Sequence, residues 1–476
     1  MKCKYKGCKR EATNNSEYCV LHEPFEDKNE KEKKRLVRLK RELFLKETDK
    51  GVKDFRGIKL GEIQVKNKTL ENVDFSEAVF ESTRFENCMF KGKINFSNCR
   101  FKSDLRFNNT TFEDLTFKGV KFEGFVEFRN CTFKGRVEFK VLKSKSTTEF
   151  NDILFLFCIF LNDLVFSGVN FKSDTRFILC DFVKRVLFLG YSAPDQKSIK
   201  YIPTRFNSSR KIEIEFYFCT FRDVLEFRPE IGENAELNFS HSKFEKPERV
   251  EFRNVNLSKA SFLHVQGLER IRFTNATWNR IGLIKRFCLY DEIRLREGKI
   301  GEILRNIREQ LDESNRLKQE REIMEAIAQT YRQLRIAYES SLMYPEAGDF
   351  YVGEMEMKRL NAVFRKKPIK NRLGRWLIQN LSLTAFYRYL SYYGECYWLP
   401  LLWIFLFVLG FSIGYSYYYG LDLNSALSTS FLTFFQMPPT ETKISSWIMG
   451  CERLTGLILT AIFILALRRK FKKTSE

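Results

Sequence analysis

"TFEDLTFKGVKF", residues 111–122, places a phenylalanine at every fifth position: Phe112, Phe117 and Phe122. A strand repeats every two residues and a helix about every 3.6, so neither gathers these rings on one face. The ladder extends both ways through Phe75, Phe80, Phe85, Phe90, Phe96, Phe101 and Phe107, and through Phe128, Phe133 and Phe139, in steps of five with occasional sixes. Two residues before each ring stands an apolar or small residue, among them Val73, Ala78, Thr83, Cys88, Ile94, Cys99, Leu105 and Thr110. Two inward side chains per five residues, with polar residues between, describe a chain that turns a corner at every repeat. Four such sides close a rung of about 20 residues, and rungs stack about 4.8 Å apart like strands in a sheet.

The stretch 189–211, "LGYSAPDQKSIKYIPTRFNSSRK", interrupts the ladder and reads as a loop thrown out from one rung. The pattern returns at Phe216, Phe221 and Phe227, then at Phe239, Phe244, Phe252, Leu257 and Phe262. Two columns repeating together over residues 54–278 resemble the pentapeptide-repeat family. The resemblance implies a right-handed quadrilateral β-helix, with small bulges where the step is six. Buried rings at about 1.5 to 3 kcal/mol each make the ladder a stability device. Its histidines, His241 and His264, read as ordinary surface residues. The chain carries no phosphate-binding loop, nucleophile elbow or zinc-protease helix motif, so no enzymatic activity is expected.

Twelve cysteines divide by position. Cys88, Cys99, Cys131, Cys158, Cys180 and Cys219 each stand two residues before a phenylalanine, share one structural slot and need no redox role. Cys3, Cys8 and Cys19 join His22 in the pattern C-x4-C-x10-C-x2-H. Three thiolates and an imidazole are the donors of a closed tetrahedral Zn²⁺ site, structural rather than catalytic because four protein ligands leave no open position. Chance clustering of unpaired thiols is the alternative.

Net charge is +21, which suggests an anionic partner, nucleic acid or lipid. Its placement favours lipid. Residues 358–394 hold nine basic side chains and no acid, and Arg468, Arg469, Lys470, Lys472 and Lys473 close the chain. These clusters flank the strongly apolar part. Residues 397–419 carry no charge and are long enough to cross a bilayer. Residues 447–467 are interrupted by Glu452 and Arg453, which leaves an apolar run at 454–467; a second span and a buried soluble helix are both open for so short a run. With both basic clusters inside, the termini are cytoplasmic and the loop 420–446 is external. The polar, cysteine-rich N-terminal stretch does not read as a signal peptide.

Between solenoid and apolar part, Ile303, Ile307 and Leu311, then Ile323, Ile327, Tyr331, Leu334 and Tyr338, recur every three or four residues and predict amphipathic helices. Pro345 and Gly348 predict a break before a helix that restarts at Phe350. The basic stretch 364–376 and the aromatic run 386–393 then suit a membrane interface. Residues 424–443 lie between the two apolar segments. A span, a short re-entrant helix, a loop and a second span resemble the pore unit of potassium-channel-like proteins, with Ala426, Leu427, Ser430 and Thr433 spaced as in its pore helix. The family's glycine-containing filter is replaced by Gln436, Met437, Pro438 and Pro439. The resemblance implies that Thr433, Phe434, Phe435, Gln436 and Met437 form the pore loop, and the missing glycines predict weak selectivity.

The fold expected is thus multidomain β plus α plus membrane. It comprises a zinc knuckle at 1–24, a charged helical linker at 25–50, the solenoid at 51–280, a helical neck and basic segment at 281–395, and a two-span pore domain at 396–476. This order resembles pentapeptide-repeat membrane proteins with an ion-channel domain, which implies an oligomer, by analogy a tetramer, gated through its cytoplasmic solenoid. Membrane lipids, inorganic ions, further copies of the chain and a cytoplasmic protein or ligand are the expected partners. The mixed Lys and Glu of the solenoid argue against nucleic acid. A membrane-anchored interaction scaffold without conductance is the competing expectation.

Overall fold

Phe85, Phe107, Phe128, Phe155, Phe177 and Phe216 form one column of rings in the computed structural model, with centroids 4.7 to 5.0 Å apart and planes within 9° of parallel. Three further columns run through Phe90 to Phe112 to Phe133, through Phe96 to Phe117 to Phe139, and through Phe80 to Phe101 to Phe122. Rings of neighbouring columns meet edge to face, as Phe85 and Phe90 do at 5.2 Å. This combination of offset stacks and T-contacts is what the ring quadrupole favours. Every ring of the ladder from Phe75 to Phe139 is essentially inaccessible. A four-sided tube with one ring column per side is the geometry that a five-residue repeat requires.

The structure describes all residues except 15, 26–27, 142–147, 195–198, 283–284, 308, 311, 313–314, 363–371, 441–443 and 473–476. The four sides make three sheets of eight, nine and fourteen strands. The largest covers two sides because strands Met89–Asn95 and Thr111–Lys118 run unbroken around one corner. Rung-to-rung pairing is parallel throughout, and nine strands on one side count nine rungs. The repeat is slightly longer than four pentapeptides: Val65 lies under Phe85, Phe85 under Phe107 and Phe107 under Phe128. One extra residue is absorbed at a register shift between Phe90 and Lys93. There Gly92 has φ +64, and a Cβ would lie 2.1 Å from Asn72 Oδ1, so the bulge favours glycine.

Stretch 189–211 differs from the expected single loop. Tyr191–Pro194 and Ile199–Ile202 pair as an antiparallel hairpin, and Phe206 is already back on the ladder, stacked 4.5 Å from Phe171. The ladder was hidden there because the hairpin displaces Thr204 and Phe206, which fill the usual two columns, from the five-residue spacing.

The column two residues before the rings has a specific chemistry. Cys99 donates its S–H to the Phe75 carbonyl at 2.9 Å, Cys131 to Phe107 at 3.4 Å, Cys158 to Phe128 at 3.3 Å and Cys180 to Phe155 at 3.4 Å. Ser242 does the same to Phe216 at 2.6 Å. At these corners a buried carbonyl faces inward, and a small side chain with one proton satisfies it. Burial pushes the Cys99, Cys131, Cys158 and Cys180 thiols up, so they remain protonated donors.

Another corner column sits in the left-handed region. Asn67, Asn87, Asn109 and Asn130 adopt φ of 50 to 54°, and Asn87 and Asn109 each donate an amide to the asparagine one rung back at 3.2 Å. Asparagine tolerates this conformation. In the following rungs Phe157, Leu179 and Phe218 hold φ of 52 to 54° with their side chains about half exposed, and then His241 and His264 stack at 4.8 Å.

Ten helices complete the described chain: α1 Glu30–Asp49, α2 Tyr290–Arg296, α3 Ile300–Asn306, α4 Arg316–Ser340, α5 Tyr344–Asn361, α6 Arg372–Leu381, α7 Leu383–Ser391, α8 Trp398–Tyr419, α9 Leu423–Phe434 and α10 Ser446–Lys472. They belong to two compact units, one comprising residues 1–280 and 288–311, the other 281–287 and 312–476. In the first, Asn29 and Glu32 form a reciprocal cap on α1, whose buried stripe is Leu36, Lys40, Phe44 and Thr48. Phe44 closes one end of the ring column against Phe55 at 4.9 Å. Trp278 packs on Phe262 and Phe273 near the other end, and Arg294 of α2 pairs with Glu236 at 2.5 Å. Such end caps keep terminal rungs from offering open strand edges.

In the second unit α4 and α5 pack as an antiparallel-style pair, and Gly353 allows it, since a Cβ there would lie 2.3 Å from the Tyr331 ring. The expected restart at Phe350 moves back to Tyr344, because Pro345 falls in the first turn of α5, where a helix needs no N–H from it. Of the residues expected on the amphipathic stripes, Ile303 and Ile307 are buried in the first unit and Ile323, Ile327, Tyr331, Leu334 and Tyr338 in the second; Leu311 and most of the basic stretch 364–376 lie outside the described residues.

Two outcomes follow for stability. Phe117→Ala should lower it by about 3–5 kcal/mol in denaturant unfolding, because the cavity cannot collapse between stacked rungs. Leu179→Asn should raise it by about 1 kcal/mol by placing a tolerant residue at a left-handed corner; an unchanged or lowered midpoint would contradict that reading.

Candidate functional site

The first 25 residues are too few to bury a core, and their order comes from polar contacts. The Cys8 amide donates to the Tyr5 carbonyl at 3.0 Å and the His22 amide to Cys19 at 3.0 Å, two tight turns that point four side chains at one spot. The ligand atoms of Cys3, Cys8, Cys19 and His22 lie within 4.8 Å of one another, the one such group among the described residues. Tetrahedral Zn²⁺ with Zn–S bonds near 2.3 Å needs sulfurs about 3.8 Å apart. Cys8 and Cys19 sulfurs are 3.9 Å apart, and Cys3 Sγ is 3.6 Å from His22 Nδ1. The donor set fits a metal such as zinc.

The surroundings reinforce that fit. His22 Nε2 donates to the Arg56 carbonyl at 2.8 Å, which leaves the Nδ1 lone pair facing the sulfurs. Burial holds the imidazole below its usual value, so it is neutral and able to coordinate. Burial raises the Cys3 thiol, but amides of Cys19 and Tyr5 outweigh it and leave the group below its ordinary value. The Tyr5 ring stacks on His22 at 4.3 Å and screens it from water. Four protein donors would leave a metal held there no open position.

Two anchors had no legible signal in the sequence. Arg10 makes a forked pair with Glu47 of α1, with bonds of 3.0 and 2.5 Å. Lys40 is fully buried, and its ammonium donates to the carbonyls of Leu21, Glu23 and, at 2.7 Å, Lys59, while resting 4.3 Å from the Phe25 ring. It staples the knuckle, α1 and the first strand together. Its position on the apolar stripe of α1, four residues from both Leu36 and Phe44, was the only hint.

In the other unit α8 and α10 are long and apolar enough to cross a membrane, over 22 residues and over the 23 of Ser446–Arg468. Phe405, Ile413, Leu457, Ile464 and Leu465 are all more than half exposed on them. Glu452 and Arg453, which interrupt the apolar run in sequence, lie within one unbroken helix. Glu452 is fully buried inside continuous α10 and is hydrogen-bonded to partners 22 and 37 residues away: Ser430 of α9 at 2.5 Å and the Tyr415 hydroxyl of α8. Ser430 Oγ also lies 3.0 Å from the Val408 carbonyl, yet a hydroxyl has one proton. All these contacts are satisfied together when Ser430 donates to Val408, Glu452 carries its own proton toward Ser430, and Tyr415 donates to the second carboxyl oxygen.

Apolar clusters flank this polar knot, with Val408, Phe434 and Leu459 in one and Tyr415, Ala426 and Ile444 in the other. Gly456 permits the approach of α9, since a Cβ there would lie 2.1 Å from the Phe434 carbonyl oxygen. Among the expected loop residues, Thr433 and Phe434 are buried within α9, while Phe435, Gln436 and Met437 are exposed at its end. Gln436 has φ +64 and donates its amide to the Arg453 carbonyl at 2.7 Å.

Stoichiometric zinc should be found by elemental analysis of the purified chain and be lost on joint Cys8→Ser and Cys19→Ser substitution; retention in that variant would refute the assignment. Glu452→Gln, which keeps a donor and an acceptor, should leave the detergent melting temperature nearly unchanged. Glu452→Ala should cost about 1–3 kcal/mol for each hydroxyl it strands. Equal effects of the two changes would contradict the hydrogen-bond count.

A family model described as pentapeptide repeats, nine copies, matches residues 67–111 and 85–132. No curated protein matches the chain. The matched residues fall within the stacked rungs described above, so the chain contains a pentapeptide-repeat β-solenoid, together with a C-terminal helical region that holds two long apolar helices.

Proposed function

We propose that this chain is a membrane-anchored pentapeptide-repeat scaffold, which binds rather than catalyses. The observation that carries this reading is the contrast between its two kinds of surface. The solenoid buries its rings completely and faces water with paired charges such as Arg129 with Glu127 and Arg222 with Asp181. Helices α8 and α10 leave large apolar side chains uncovered, a surface that lipid or another apolar helix must cover. The basic clusters at 358–394 and 468–473 support an orientation with both termini on the cytoplasmic side.

A specific observation favours a second reading, an oligomeric and weakly selective ion channel. Helix α9 has about half the length of its neighbours, lies between them in sequence, packs on both and ends at the left-handed Gln436. An apolar groove along α8 holds Gly410 and Gly414, four residues apart with open space over each, and could seat a helix of another copy. In such an assembly, by analogy a tetramer, Gln436 would offer an amide and a carbonyl to a partly hydrated ion.

Reconstitution of the full chain separates the readings. The scaffold is expected to stay with vesicles through an alkaline carbonate wash and to pass no current across a planar bilayer. Release by carbonate would overturn the anchor. Unitary currents that a charged thiol reagent blocks in Gln436→Cys, in a background lacking Cys451, would replace the scaffold by the channel.

A further inference from the structure

The contact between α1 and the first rungs leaves a groove of about 380 Å³ that shares no residue with the cysteine–histidine cluster. This is within the size range of small-ligand sites. Lys34, Arg38 and Arg41 line one wall, at spacings of four and three that put them on one face of α1. Arg84 of the second rung lines the other wall, and Glu62 is the one carboxylate in the lining.

Ordinary surface cations are neutralised by neighbours, and these largely are not. Lys34 and Arg41 make no ion pair or hydrogen bond among the described residues. Arg38 pairs only with Glu42, at 3.0 Å between two largely exposed side chains, a contact worth little. Arg84 stands in register with Arg106 of the next rung, an unfavourable like-charge pairing. Arg106 is relieved by Asp104 at 2.8 Å. Arg84 has only Glu86 at 3.7 Å, and Glu86 is already engaged by Lys66 at 2.8 Å and Gln64 at 2.9 Å.

The groove is also preformed. Lys40 fixes α1 from its buried face, and at Gly61 the helix comes so close that a Cβ would lie 2.6 Å from Val37 Cγ2. Four cations are therefore held around a concave space whose lining offers one carboxylate, Glu62. We infer that this groove binds a compact, multiply charged phosphate ligand, with the arginines as forked donors to its oxygens. The same chemistry is offered by a soluble phosphate compound and by a phosphomonoester lipid headgroup.

The test uses the full chain in nonionic detergent. Pyrophosphate is titrated calorimetrically, and short-chain phosphatidic acid is titrated in a second arm. Saturable pyrophosphate binding that weakens about tenfold or more in Arg41→Gln with Arg84→Gln supports the site with a soluble ligand. Binding of phosphatidic acid alone, weakened by the same change, supports it with a headgroup. Both positions are exposed, so the variant should melt with the parent and keep its zinc; Lys34→Gln with Arg41→Gln serves as a second variant on α1 alone. Absence of binding by either probe, or binding indifferent to both variants, would overturn the inference.

Discussion

Parallel rungs that bond to one another at the spacing of a β-sheet leave an aromatic ring one place to go, on top of the ring beneath it. Stacks such as Phe117 on Phe139, at 4.8 Å and 2°, are that constraint made visible. Much else in the first unit follows from it. A square rung has corners, some corners strand an inward carbonyl, and there the residue two before the ring carries a short donor such as Cys99 or Ser242. Other corners force the left-handed conformation, which asparagine fills at first and Phe157, Leu179 and Phe218 fill at a cost later. An open tube needs ends, and Phe44 and Trp278 supply them with aromatic rings.

The second unit answers to a different constraint. Where water is scarce, each polar group must find a partner within the protein. Glu452, Ser430 and Tyr415 do so jointly and tie three helices with one carboxyl group. Elsewhere in that unit Glu356 gathers Arg359 at 3.0 Å, Arg388 at 2.9 Å and the Tyr393 hydroxyl at 2.8 Å in a buried cluster. Burial works to raise the Glu356 carboxyl, but the two guanidiniums and the hydroxyl outweigh it and hold it below its usual value. Rings order one unit by shape, whereas buried charges order the other by pairing.

Local periodicity made the solenoid legible, since every rung repeats the same two columns, and the four metal donors were legible because their residue types are rare and close in sequence. Features set by partners distant in the chain were not. Glu452 looked like an interruption because its two partners lie 22 and 37 residues back. Lys40 looked like one more cation of a charged helix, although three backbone carbonyls from two other segments hold it. Pro345 was read as a breaker when its place in a first turn makes it a starter. The hairpin at 191–202 concealed Phe206 because an insertion moves the ladder without changing it.

Stacked rings secure the solenoid, and under the proposed anchoring lipid covers the two apolar helices. Hydrogen exchange of the full chain, compared in lipid nanodiscs and after transfer to a detergent-free polymer solution, tests both halves at once. Protection is predicted to persist across the rungs from Phe75 to Phe262 in both media, and to be high over Trp398–Tyr419 and Ser446–Arg468 only where lipid is present. Apolar helices equally protected without lipid, or rungs that lose protection with it, would contradict the account.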